Sequence, residues 1–176
     1  MIKRNSLITV ALILVLLIAV IILGVGVFRQ TNLDASSREF AVFITPLILS
    51  ANPNATPTAE DETEEAATEA ITETIEAELA WKNYAHPQLL QQQSNEDRSK
   101  YLFIVTRHLG TLEVIDSING GSEVSIWPFN KDPISANYTL QVGFAYGAAE
   151  VHIAMLYEQD QWQITSFQVM SDETSD

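Results

Sequence analysis

The sequence predicts an α+β fold in which helices come first and an antiparallel sheet follows, all behind one apolar N-terminal helix. Three observations carry this reading. Residues 7–28 form an apolar run in which Thr9 is the only strongly polar side chain. Apolar residues then recur at helical spacing as far as Leu109. Beyond Gly110 the spacing changes to the two-residue alternation of strands.

The first run holds 22 residues, enough at about 1.5 Å per residue to cover a hydrocarbon layer of ~30 Å. Lys3 and Arg4 would also serve as the basic end of a cleavable signal peptide. However, the apolar stretch exceeds the usual signal length and ends in Gly24-Val25-Gly26-Val27-Phe28-Arg29, without an Ala-x-Ala site. An uncleaved membrane anchor is therefore expected. Lys3 and Arg4 lie close together on a short tail, against Arg29 and Arg38 beyond the span, which favours a cytoplasmic N-terminus and an extracytoplasmic remainder.

Residues 40–51 form a second apolar patch, interrupted by Pro46 and too short to span. It is expected to lie on the membrane surface or against the domain; the alternative is a docking strip for a partner in the bilayer. Residues 51–58, with Pro53 and Pro57, read as an extended linker giving the domain reach from the membrane. The expected organisation is a cytoplasmic tip and anchor at 1–28, a juxtamembrane segment and linker at 29–59, a domain at 60–172 and a disordered tail at 173–176.

Between Glu60 and Glu78 stand nine acids and no base, while Ile71, Ile75 and Leu79 recur at four-residue steps. That pattern predicts a helix over about 60–84 with a solvated acidic face. Pro87 interrupts it, and a short helical turn follows over 88–93. Ser94 or Asn95 then caps a helix with Glu96 and Asp97 in its first turn and Gly110 as its stop. Leu102, Val105 and Leu109 are expected to share its buried face with Tyr101 and Ile104.

Strands are expected from Leu112, from Val124 to Trp127, along Tyr138-Leu140-Val142-Phe144, along Val151-Ile153-Met155-Tyr157, and from Trp162. Asn119-Gly120-Gly121 reads as a turn between the first two. In the last strand the apolar parity flips between Ile164 and Phe167, which implies a bulge near Thr165-Ser166.

Charge limits the partners. All 23 acids but only seven of the nine basic residues lie after residue 28, leaving that part at −16. So negative a surface repels nucleic acid. The chain has no cysteine, which excludes disulfides, thiol nucleophiles and a lipoprotein's acylated cysteine. His86, His108 and His152 do not stand at ligand spacing, and no glycine-containing calcium loop is present, so no metal and no cofactor is expected. Glu150 and His152 lie two apart on a strand and so share a face. They are read as a solvent-side ion pair, with an acid/base pair in a cleft as the alternative.

The order of helix, short helix, helix ending in Leu109-Gly110, and meander closing on Trp162-Gln-Ile164-Thr-Ser-Phe167-Gln-Val169 resembles nuclear transport factor 2-like domains. The stretch Phe144-Ala-Tyr-Gly147-Ala-Ala-Glu-Val151 also matches, and the resemblance covers roughly residues 65–172. It implies a curved sheet forming a cone with helices packed on one face. Bacterial members include single-pass membrane proteins of unknown function, and enzymes of the superfamily place Asp/His or Tyr/Asp pairs inside the cone. Here the inward strand positions are Tyr138, Leu140, Val142 and Phe144, with no acid. Leu109-Gly110, Gly147 and Trp162 are also similar to membrane-anchored cytochrome oxidase assembly proteins, from which the long first helix departs.

The function expected from this is a tethered, non-catalytic interaction or assembly module meeting another membrane protein through a sheet face or edge. A small-ligand-binding cone is the alternative, with Tyr84, Trp127, Tyr138 and His152 as candidate contacts. An enzyme of the same fold is the third reading.

Overall fold

A computed structural model describes residues 2–49, 78–124 and 133–171. The expected linker, the acidic residues 60–77 and Trp127 lie outside the described residues. Helix α1, Ile2–Leu49, is continuous through Pro46. Residues 78–84 are the described part of α2, followed by α3 (Pro87–Gln92) and α4 (Asn95–Leu109). Four strands complete the domain: β1 (Leu112–Glu123), β2 (Ile134–Phe144), β3 (Gly147–Glu158) and β4 (Gln161–Met170). They pair antiparallel in chain order as an open four-stranded meander.

The anchor expected at residues 7–28 does not end in a break. The same helix runs on through residues 29–49, and only its role changes. From Leu12 to Phe28 its large apolar side chains stand mostly exposed, and the helix is long and apolar enough to cross a bilayer or act as a signal sequence. From Leu33 onward a stripe at three- and four-residue steps turns inward: Leu33, Ser37, Ala41, Ile44, Ile48. Ile44 and Ile48 are among the most deeply buried side chains, so the patch expected at 40–51 has its inner face in the core. Val42 and Phe43 point out of it.

That stripe packs on a sheet whose apolar face follows strict alternation. Tyr138, Leu140, Val142 and Phe144 of β2 stand beside Val151, Ile153 and Met155 of β3 and Ile164 and Phe167 of β4, all buried. The rows are in register: Leu140 opposes Val151, which opposes Val169; Tyr138 opposes Ile153, which opposes Phe167. Ser166 opposes Ala154 and Ile164 opposes Met155, so Thr165 is the extra residue of the bulge that the parity flip predicted.

β1 departs from the expected pattern. Residues 119–121 make no turn; they lie within one twelve-residue strand paired with β2, and the strand expected from Val124 to Trp127 lies, from residue 125 on, outside the described residues. Two register shifts, between Leu112 and Val114 and between Ile115 and Ser117, stretch the inward spacing to three residues. Leu112, Ile115 and Ile118 thereby reach the core from a strand that never alternates cleanly. Gly120 is required for a different reason. Its φ is +128°, and a Cβ there would stand 2.1 Å from the Asn137 carbonyl oxygen.

The helical layer follows its sequence signals closely. Ser94 Oγ accepts from the Asp97 amide at 3.1 Å, capping α4, and Gly110 ends it at φ +82°. Leu102, Val105 and Leu109 are buried, but Ile104 and Tyr101, 52% and 36% exposed, do not share that buried face. His86 accepts from the Gln88 amide through Nδ1 and caps α3. Trp81 packs edge-on against Phe167 at 6.4 Å, joining α2 to β4.

Candidate functional site: the outer face of the sheet

With α1 and the later helices on one face, the opposite face of the four strands is left uncovered among the described residues. Strand alternation sends Asn137, Thr139 and Gln141 of β2 and Glu150 and His152 of β3 to that side. Thr139 opposes His152 and Gln141 opposes Glu150 in the ladder, so four polar side chains meet. Gln141 Nε2 donates to Glu150 Oε1 at 2.6 Å. The other carboxylate oxygen lies 3.3 Å from His152 Nε2, and His152 Nδ1 lies 3.4 Å from Thr139 Oγ1. The amide donated by Gln141 is the main reason the Glu150 carboxyl is held below its ordinary range; His152 adds to this.

Beside this row lies a shallow hollow of about 290 Å³, lined by Asn119, Asn137, Thr139, His152, Ala154 and Ser166 among others. Its polar groups are amides, hydroxyls and one imidazole. The Glu150 and His152 side chains are 47% and 38% exposed, so water screens their attraction, as the solvent-side reading expected. Among the described residues no group of three or more His, Asp or Glu is arranged to hold a metal. The arrangement suits contact with a polar surface more than proton transfer, for which a desolvated cleft would be needed.

The two edges of the sheet are protected. On β4, Ala85 bridges to Ile164, and the His86 amide donates to the Ile164 carbonyl at 2.8 Å. Further along, the Tyr101 hydroxyl accepts from the Val169 amide and donates to its carbonyl. Burial pushes the Tyr101 hydroxyl pKa up, against the lowering effect of that backbone bond. On β1, the two bulges break the straight row of amides that a pairing strand would need.

Of the candidate ligand contacts, Tyr138 and His152 both border the hollow, but their side chains point to opposite faces of the sheet. Tyr138 faces inward, its hydroxyl 2.8 Å from Ser37 Oγ on α1, and burial raises its pKa. Tyr84 also lies on the helical side, edge-on to Phe40 and Phe43 at 5.3 and 6.3 Å. His152 is on the other face, and Trp127 falls outside the described residues. The outward partners Thr139 and Gln141 went unremarked in the sequence, although the alternation that buried Leu140 and Val142 already placed them beside Glu150 and His152.

The seam between α1 and the sheet is a second polar feature. Asp34 Oδ1 accepts from the Ser122 amide and hydroxyl at 2.8 and 3.1 Å, and Trp162 Nε1 donates to Ser36 Oγ at 3.0 Å. No sequence motif announced these bonds. Comparison with protein-family models, curated proteins and solved structures gave no match.

Proposed function

We propose that this chain is a single-pass, membrane-tethered interaction or assembly module, with its folded domain outside the cytoplasm and no catalytic role. One observation carries the reading: helix α1 supplies both the exposed apolar stretch and the first layer of the domain, with no joint between them. A domain built onto its own anchor acts near the bilayer, where confinement raises its local concentration against a membrane partner. The protected sheet edges favour the outer face, with its Gln141, Glu150, His152 and Thr139 row, as the contact. The order of helices followed by a curved meander supports kinship with the nuclear transport factor 2-like folds, as a proposal about ancestry and not about activity. Lys3 and Arg4 support a cytoplasmic N-terminus.

Topology is tested with a reporter fused after Asp176, expected to be active only outside the cytoplasm, on a mature chain that keeps residues 1–28. Cytoplasmic activity would reverse the orientation, and a shortened N-terminus would replace the anchor with a signal peptide. A second reading, binding of a small polar ligand, is favoured by the hollow beside His152. It would be supported by a His152→Ala variant that loses a saturable ligand while keeping its membrane partner.

A further inference from the structure

We propose that the end of the sheet carrying the β3–β4 turn rests against the lipid headgroups, held there by α1 and not by a linker. The proposal rests on the anchor reading above and adds which surface of the domain meets the membrane.

The last apolar residue of the exposed run is Phe28, followed by Arg29. Placing the hydrocarbon edge at Phe28 sets the height of every later residue by the helical rise. Asp34 stands about 9 Å above that edge and Ser36 about 12 Å. The headgroup layer itself extends roughly 5–8 Å. Both residues are bonded to the sheet: Asp34 to Ser122 near the end of β1, and Ser36 to Trp162 at the start of β4. Helix and strand then leave the membrane together, for Arg38, one turn up, reaches the Ile118 carbonyl at 3.5 Å.

The turn at Gln159 and Asp160 lies two to three residues beyond Trp162 toward the membrane. At about 3.3 Å per residue this lowers it to roughly 5 Å from the hydrocarbon, within the headgroups. The opposite end, with the β2–β3 turn at Ala145 and Tyr146, lies a full strand length away, about 30 Å higher. Among the described residues the lower end presents Glu123, Glu158 and Asp160. Such a surface fits zwitterionic lipid better than anionic lipid.

The absence of cysteine makes the test direct. Single-cysteine variants Gln161→Cys and Glu123→Cys at the lower end, Ala148→Cys at the upper end, and Ile18→Cys in the span are each labelled with a fluorophore. The full chain is reconstituted in phosphatidylcholine vesicles containing either headgroup-linked or acyl-chain-linked quencher. Headgroup quencher is expected to quench the Gln161 and Glu123 labels several-fold more than the Ala148 label, and chain-linked quencher to quench Ile18. If Ile18 is quenched but all three domain labels are equally unaffected, the domain stands clear of the surface and the proposal falls while the anchor survives. Stronger quenching at Ala148 would invert the domain and also overturn it. An unquenched Ile18 removes the anchor and the proposal together. Unchanged thermal unfolding of each labelled variant confirms that the fold is being read.

Discussion

Ser37 and Tyr138, 101 residues apart, place their hydroxyls 2.8 Å from each other in the interior, where helix α1 meets strand β2. Tyr138 also donates to the Asp34 carbonyl at 3.3 Å. Each hydroxyl also has the Asp34 carbonyl within bonding distance, Ser37 at 2.9 Å, so a partner remains when the other hydroxyl is removed. Tyr138→Phe and Ser37→Ala are each expected to destabilise the domain by about 0.5–1.5 kcal/mol, and the double variant by less than their sum. Chemical denaturation of the four proteins of this cycle measures the coupling. Full additivity would mean that the two hydroxyls do not interact.

Trp162 closes the sheet against α1 and packs on Tyr157 at 5.1 Å. Removing its ring in Trp162→Ala is expected to cost about 3–5 kcal/mol, a large share of the ~5–15 kcal/mol a small domain possesses. Trp162→Phe keeps much of the packing but removes the donor to Ser36, and should cost distinctly less. Thermal stability unaffected by the alanine would place Trp162 on the surface.

Gly120 is expected to tolerate no side chain. Alanine there meets both the left-handed φ and the Asn137 carbonyl, and a loss of at least about 2 kcal/mol should follow. The nearby Gly121→Ala is the informative control, because its φ is unexceptional and its nearest neighbour is an Asp34 oxygen at 3.1 Å. Denaturation midpoints should rank wild type, then Gly121→Ala, then Gly120→Ala.

The lowered Glu150 carboxyl makes a prediction about pH. Because its folded pKa lies below the ordinary carboxylate value, chiefly through the Gln141 hydrogen bond, the ionised form is the one the fold favours. The associated stability is present above the unfolded carboxylate's pKa and is lost as pH falls through the lower folded value. Gln141→Ala removes the largest cause, so Glu150 should then titrate closer to the ordinary value, as followed by carboxyl-carbon NMR. No movement in that variant would assign the shift to His152 instead.

Glu150→Gln/His152→Ala should leave the fold intact but, with this row as the contact, weaken complementation of a deletion strain, and residues 60–176 exported without residues 1–59 should fail to complement. The second arm has a structural reason as well. That fragment lacks Leu33, Ile44 and Ile48, which line the core. A fragment beginning at residue 29 is therefore the proper soluble control. Full complementation by the double variant would remove the row as the contact, and rescue by the longer soluble fragment would remove the need for a tether.

Much of the sheet was legible because one of its faces is dry. Alternation in β2 and β3, the parity flip at Thr165 and the capping serine of α4 all express a local rule that no distant contact overrides. β1 was illegible for the opposite reason: two bulges erase its alternation, and the glycine that permits close approach to Asn137 looks in sequence like a turn. The outer face was half legible, since Glu150 and His152 stand two residues apart whereas Thr139 and Gln141 join them only through the ladder. Residues 33–48 misled most. Ser36, Ser37 and Thr45 dilute the apolar stripe, and the polar stretch from Arg29 to Asp34 reads as the end of a span, whereas it is the neck of a helix whose second half is core.

Continuity of α1 gives the protein a rotational phase. One residue inserted between Phe28 and Leu33 would turn the whole sheet by about 100° about the helix axis while raising it only about 1.5 Å. Four inserted residues would lift it about 6 Å yet bring the outer face back to within roughly 40° of its original bearing. A partner fixed in the same membrane would meet a different side of the domain in the first case and nearly the same side in the second. With the exposed stretch as an anchor, the bearing of the Gln141, Glu150 and His152 row is set by the number of residues between Phe28 and the core, like the angle of a key on its shaft.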